Sequence, residues 1–329
     1  MKYFFLIFFL FNLILPIKSQ EKLVNPPYLK VGDTIAIVAP AGILKNRQAT
    51  IVKAKKLAES WGLHVSIGNN IYNNNYHFAG NDNERTKDFQ TALDDPSIKA
   101  IWAARGGYGS VRILDVLDFS KFKQNPKWII GYSDITAFHN HIHNMGITTL
   151  HAMMPTSLEQ NPAEIIKTIS SFKEALFGKE ISYSIPTSKY NRTHSLTAIR
   201  GQLIGGNLAI QTSMLGSKSA VNTDNKILFI EEIGEYKYAI DRMLQSLKRA
   251  GYFKKLNAVI VGDMSLIKKN STPWGSSIEQ LILDAIPNNI PVIFDFPAGH
   301  EADNRALILG KNTLLTIHKK TIQLSFNKQ

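Results

Sequence analysis

The strongest constraint on the fold is a repeated pairing in which a short apolar run stops abruptly at Gly, Pro or a polar residue and a segment with helical spacing follows. Thr34–Val38 (TIAIV) is closed by Ala39-Pro40-Ala41-Gly42, after which Ile51, Ala54, Leu57 and Ala58 keep helical spacing as far as Trp61-Gly62. Leu63–Ile67 alternates like a second strand, and Asn69–Asn83 reads as an Asn-rich loop. Arg85–Leu93 reads as a helix ended by Asp94-Asp95-Pro96, and Ile98–Ala103 as a third strand. Alternating strands and helices imply a parallel sheet with right-handed crossovers. The ligands of such sheets collect at the carboxyl ends of the strands. The expected fold class is α/β.

The alternation pauses at 155–195, a mixed, polar stretch read as a linker although Ile165–Leu176 has helical spacing. Residues 24–154 then form one domain and 196–329 a second. The second contains a strand at Leu196–Arg200, a small-residue turn at Gly205-Gly206-Asn207 and strands at Ile227–Ile230, Ala258–Val261 and Ile290–Phe294. Its tail, Leu307 to Leu324, alternates like an antiparallel pair that closes the domain. With 329 residues, 44% hydrophobic and 19% charged, the chain is long and apolar enough for two packed cores.

Met1-Lys2 followed by the apolar Tyr3–Pro16 and by Ser19 has the pattern of a secretory signal peptide over 1–19, with an uncleaved anchor as the alternative. The expectation is export, to the periplasm if the cell is Gram-negative, with no membrane attachment after cleavage. The chain has no cysteine, which excludes disulfides, a lipid-modified cysteine and a thiol nucleophile. The formal charge of +12 could attract nucleic acid. The lysines are nevertheless scattered, and no zinc-finger or RNA-binding motif accompanies them, so no nucleic-acid partner is expected.

Lys127–Thr136 (KWIIGYSDIT) has the pattern of a serine displayed on a strand-to-helix turn, an apolar strand, Gly131, a bulky residue and Ser133. Ile135 replaces the second glycine of G-x-S-x-G, and a plain Ser or Asp helix cap is the bland alternative. Arg105-Gly106-Gly107-Tyr108-Gly109-Ser110 follows the third strand. It lacks the spacing of a dinucleotide or P-loop fingerprint, which leaves an oxyanion hole or an ordinary tight turn. His139 and His143 stand four apart, but no H-E-x-x-H is present and no acidic ligand lies among the neighbouring histidines. No metal or other cofactor is expected. His139, His141 and His143 read as polar helix positions, and His151 as lining or supporting the site.

Ser133, Glu231 and His300 share one position, just past the carboxyl end of an apolar strand. A serine hydroxyl needs a base. Histidine titrates near neutrality, and a carboxylate fixes its tautomer and stabilises the imidazolium. Glu231 as a solvated strand end and His300 as a loop residue are the alternatives.

The segments AARGGYGSVRILDVLD, IIGYSDITAF, ILFIEEIGEYKYAIDRML and FPAGHEADNRALILG, in that order, resemble the LD-carboxypeptidase family of serine peptidases. That family also includes microcin C self-immunity proteins. APAG at Ala39–Gly42 and FAGNDNERTKDF at Phe78–Phe89 fit as well. The resemblance implies an N-terminal Rossmann-like domain carrying the nucleophile and a C-terminal domain of swivelling type. It implies Ser133 as nucleophile, His300 as base then acid, and Glu231 as its orienting carboxylate. An oxyanion hole would lie at the backbone N–H groups of Gly107 (or Gly106) and Asp134, with the Asp134 side chain free to cap the helix that follows. Glu232 stands where an aspartate is usual. The implied substrate is a murein tetrapeptide losing its terminal D-alanine, and the implied assembly a homodimer. Arg105 is placed to hold the substrate carboxylate, or else to support the turn. The rival readings are an immunity-type hydrolase of peptidyl-nucleotides and an exported cell-wall-binding protein without activity.

Overall fold

The computed structural model describes residues 23–195 and 197–326. The 1–19 segment and Leu196 lie outside the described residues. Two sheets organise the chain. The first contains β1 (Thr34–Val38), β2 (His64–Ile67), β3 (Ile98–Ala103), β4 (Trp128–Gly131) and β5 (Thr149–His151), all parallel. The second contains β6 (Ser182–Pro186), β7 (Ala198–Asn207), β8 (Lys226–Ile233), β9 (Ala258–Ser265) and β10 (Val292–Ile293). The chain then adds β11 (Leu307–Leu309), β12 (Asn312–Ile317) and β13 (Thr321–Phe326). The strand orders are β11-β5-β4-β3-β1-β2 and β10-β9-β8-β7-β12-β13-β6. Strands β7 to β10 are parallel, and β12, β13 and β6 extend that sheet antiparallel. The α/β class with two domains is as the residues predict.

Four features differ from the sequence reading, the first three because of contacts between distant residues and the last because of a local cap. The 155–195 stretch is built into the body of the protein. Its helix Ile166–Leu176 places Phe172 against Trp61 and Trp102 of the first core, with ring centroids 5.6 and 5.1 Å apart. Its strand β6 is an edge of the second sheet.

The glycines at 205 and 206 do not turn the chain. They lie inside the ten-residue strand β7, where a Cβ on Gly205 would stand 2.0 Å from Phe229 O and one on Gly206 2.4 Å from Thr136 Oγ1. They permit close approach, to β8 in one case and to the first domain in the other.

The tail divides. β12 and β13 pair in the second sheet, but β11 crosses back to become the antiparallel edge of the first, beside β5. Finally, the helix expected from Arg85 begins at Asp82. Asn81 accepts from Glu84 N, and the Glu84 carboxylate accepts from Asn81 N, a reciprocal cap that draws the loop's last residues into the helix.

Candidate active site

β4 is fully buried and ends at Gly131, whose carbonyl accepts from Ala152 N at 3.2 Å and from His139 Nε2 at 2.9 Å. The chain folds back so tightly that a Cβ on Gly131 would lie 2.7 Å from Ile135 Cγ1. Ile135, in the place of the missing second glycine, is buried beneath the strand end. Ser133 has φ +61°, in the left-handed region that a non-glycine residue adopts at a cost of order 1–3 kcal/mol. It opens a 3-10 turn, Ser133–Ile135, that runs into the helix Thr136–His143. The sharp turn holds Ser133 partly exposed at the carboxyl edge of the sheet.

The Gly-rich turn lies against this serine. A Cβ on Gly106 would stand 3.1 Å from Ser133 Oγ and 3.4 Å from Asp134 N, so only backbone fits between them. Gly107 has φ +103°. Among the described residues, neither its N–H nor that of Asp134 donates to a backbone carbonyl in a turn or between elements. Asp134 does not cap the helix that follows it. Its Oδ2 accepts from Ser110 N at 2.8 Å, at the start of the helix Ser110–Leu114. Buried Arg85 joins the remaining turn, donating from Nη1 to Pro40 O at 2.5 Å and to Gly109 O at 2.9 Å. Arg105 is half-buried and donates from Nη1 to Ile43 O at 2.5 Å. Burial pulls its guanidinium below its ordinary value, and the charge of Arg47 adds to this.

Strand β8 and the loop after β10 supply the titratable pair. Glu231 lies inside β8 rather than just past its end, because the ladder with β7 continues through Asn207. It is 0% exposed, and its Oε2 accepts from His300 Nδ1 at 2.6 Å. Burial alone would lower the His300 pKa, but the Glu231 charge and hydrogen bond, followed by the charges of Glu232 and Asp263, hold it above its ordinary value. Glu232 makes a separate set of bonds, accepting from Asn207 Nδ2 at 3.1 Å and from Ala209 N and Ile233 N at 2.8 Å each. Burial pushes its carboxyl up to about 7.

The loop carrying His300 lies between β10 and β11 and is pinned at several points. Gly299 N donates to Asn304 Oδ1 at 3.1 Å, and Asn304 N to Thr168 Oγ1 at 2.8 Å. Thr168 Oγ1 donates to Ala302 O at 2.6 Å. Glu301 N donates to Asp263 Oδ2 at 2.9 Å, and burial pushes the Asp263 carboxyl up to about 6.

The structure therefore brings Glu231 and His300 into direct contact, and Ser133 follows in the chain the residue that packs on His300. The ring of Tyr132 meets that of His300 edge to face, with centroids 5.0 Å apart. No hydrogen bond joins Ser133 to His300 among the described residues. In ligand-free enzymes such bonds commonly close only when substrate binds.

The helix histidines are not surface positions, because helix Thr136–His143 packs between the two domains. His139 bonds to the Gly131 carbonyl, and His141 Nδ1 pairs with Ser219 Oγ at 2.7 Å. Burial pulls His139 and His143 down to about 4 and His151 well below its ordinary value. Among the described residues no group of three or more His, Asp or Glu could hold a metal. Thr168, Asn304, Asp263 and Tyr132 are site residues that the sequence reading did not select. Tyr132 and Asn304 lie inside singled-out segments and Asp263 just past the strand Ala258–Val261, whereas nothing in the pattern around Thr168 points to the site.

Comparison with known proteins follows the same division. The sequence profile of the LD-carboxypeptidase N-terminal domain matches residues 35–152, and that of the LD-carboxypeptidase C-terminal domain matches 200–315. A probable murein peptide carboxypeptidase of Bacillus subtilis is 33% identical over 90% of this chain and 93% of its own length. The murein tetrapeptide carboxypeptidase of Pseudomonas aeruginosa is 27% identical over 87% and 94%. Among solved structures, the muramoyltetrapeptide carboxypeptidase of Oxalobacter formigenes superposes with a TM-score of 0.79 at 29% identity, covering 90% of this chain and 99% of that one. The microcin C7 self immunity protein MccF shares the fold, with a TM-score of 0.81 at 24% identity over 94% and 99% of the two chains.

Proposed function

We propose, for a chain that belongs to the LD-carboxypeptidase family, that it is a serine carboxypeptidase removing the terminal D-alanine of murein tetrapeptides. Relatives named for murein peptides, aligned over most of the chain, support this substrate. The observation that carries the mechanism is the 2.6 Å bond from His300 Nδ1 to Glu231 Oε2, with the Ser133 turn packed beside that imidazole. With Nδ1–H held by the carboxylate, Nε2 is the basic nitrogen.

In this reading Nε2 takes the Ser133 proton as Oγ attacks the carbonyl carbon of the diamino acid. The oxyanion that forms is met by the N–H groups of Gly107 and Asp134, which donate to no backbone carbonyl in a turn or between elements among the described residues. Nε2 then protonates the D-alanine amine as the C–N bond breaks, leaving an ester on Ser133. Water, deprotonated by His300, hydrolyses the ester and restores the serine. Glu231 stabilises the imidazolium in both half-reactions. Arg105 has one donor on Ile43 O and others to offer the substrate carboxylate.

Mass spectrometry of a defined tetrapeptide treated with purified protein tests the proposal. A tripeptide plus D-alanine is expected, and neither product from Ser133→Ala. Equal activity in that variant would remove the nucleophile assignment. Cleavage of an aminoacyl-sulfamoyl adenosine in place of the tetrapeptide would favour the immunity-type reading. Export through residues 1–19 and a homodimer complete the proposal. N-terminal sequencing of the mature protein and light scattering in solution test these two points.

A further inference from the structure

Glu231 holds His300 through Nδ1 alone, and one hydrogen bond fixes a point of the imidazole rather than its plane. The χ2 torsion of a histidine is broad and roughly two-fold, so such a ring can swing about its anchor and carry Nε2 away from Ser133. Something else must set the plane. The group in position is Tyr132, which takes no part in the mechanism above. Its ring stands edge to face against His300, centroids 5.0 Å apart and planes at 69°.

Tyr132 is itself supported. His151 lies against it at 5.9 Å, and Phe229 closes edge to face on His151 at 5.1 Å and 85°. His151 and Phe229 are each 0% exposed. Phe229 lies on β8, two residues before Glu231. The contacts thus form a closed circuit, Glu231 to His300, Tyr132, His151 and Phe229, then along β8 to Glu231. It passes through both sheets, since Tyr132 follows β4 and His151 ends β5.

We infer that Tyr132 is a positioning residue whose ring fixes the plane of the His300 imidazole and so aims Nε2 at the serine next to it in the chain. An aromatic pair with a preferred edge-to-face geometry suits this task, and the phenol oxygen is not needed for it. The inference rests on the roles proposed for Ser133 and His300.

The test compares Tyr132→Phe and Tyr132→Leu with wild type and Ser133→Ala in D-alanine release from a defined tetrapeptide. Tyr132→Phe should keep kcat near wild type. Tyr132→Leu should lose about 10²-fold in kcat, the scale expected of a misaimed catalytic group, with KM little changed. Its labelling of Ser133 by a fluorophosphonate should slow in parallel. Should the leucine variant fail to fold, Tyr132→Met fills the space without fixing a plane and carries the same expectation. In the wild type, NMR of 13C-histidine-labelled protein should give His300 one ring-current-shifted environment, and averaging between ring orientations would overturn the inference. So would full kcat in the leucine or methionine variant, or a loss in the phenylalanine variant equal to theirs. If Ser133→Ala is as active as wild type, the underlying site assignment falls instead.

Discussion

Asp134 and Ser110, 24 positions apart in the chain, are joined by a 2.8 Å hydrogen bond from the Ser110 N–H to Asp134 Oδ2. The bond makes one rigid unit of the serine turn and the Gly-rich turn. Relative movement of the two would spoil an oxyanion site assembled from both. Asp134→Ala leaves the Ser110 N–H without its acceptor, a loss of about 1–2 kcal/mol. Calorimetry should show that loss together with a fall in kcat, whereas Asp134→Asn, which retains an acceptor oxygen, should recover most of both.

The His300 pKa stands above its ordinary 6.5 because Glu231 outweighs burial. A neutral imidazole is the active base, so kcat/KM should rise with pH through a midpoint above 6.5. In Glu231→Gln burial is left unopposed by that charge. The midpoint should move downward while the maximal rate falls by up to about 10⁴-fold. For stability, a raised histidine pKa contributes fully below the unfolded value and is lost as pH rises through the folded one. The Tm gap between wild type and Glu231→Gln should therefore narrow toward alkaline pH.

Thr168 Oγ1 both accepts from Asn304 N and donates to Ala302 O. Thr168→Val keeps the shape and removes both bonds, leaving Asn304 N and Ala302 O only their mutual 3.1 Å bond, a cost of about 0.5–1.5 kcal/mol for each bond lost. Denaturant unfolding should report this cost. Steady-state kinetics should show a lower kcat, since the loop that moves is the one carrying His300.

If Arg105 binds the substrate carboxylate, Arg105→Ala should raise KM about tenfold or more, the 1.5–3 kcal/mol of a charge-assisted bond, with Tm almost unchanged. A lower Tm with unchanged KM would show that its bond to Ile43 O is all it contributes.

The α/β class, the first four parallel strands and the position of Ser133 past the end of β4 were legible because they depend on local pattern. Glu231, by contrast, read as just past its strand, lies inside β8, which runs on to Ile233. An apolar run has to stop somewhere, and in a parallel sheet its carboxyl end faces the crevice. What was not legible depends on residues far apart in sequence. Gly205 and Gly206 look like a turn until Phe229 and Thr136 are seen pressing on them. His139 and His143 read only as polar positions on a helix until the second domain covers that helix. Thr168 gives no local sign of its work, because its partners lie 134 and 136 positions away.

The crossing of β11 has a consequence for how this protein can be recombined. His300 is flanked by a strand of one sheet and then a strand of the other, so the gene has no point at which its two halves separate cleanly. A chimera taking its second half from a homologue would import an edge strand into the serine's own sheet, along with the base. Grafted activity should then depend on how well the foreign Leu307–Leu309 segment pairs with the resident Thr149–His151, whatever the quality of the transplanted pocket.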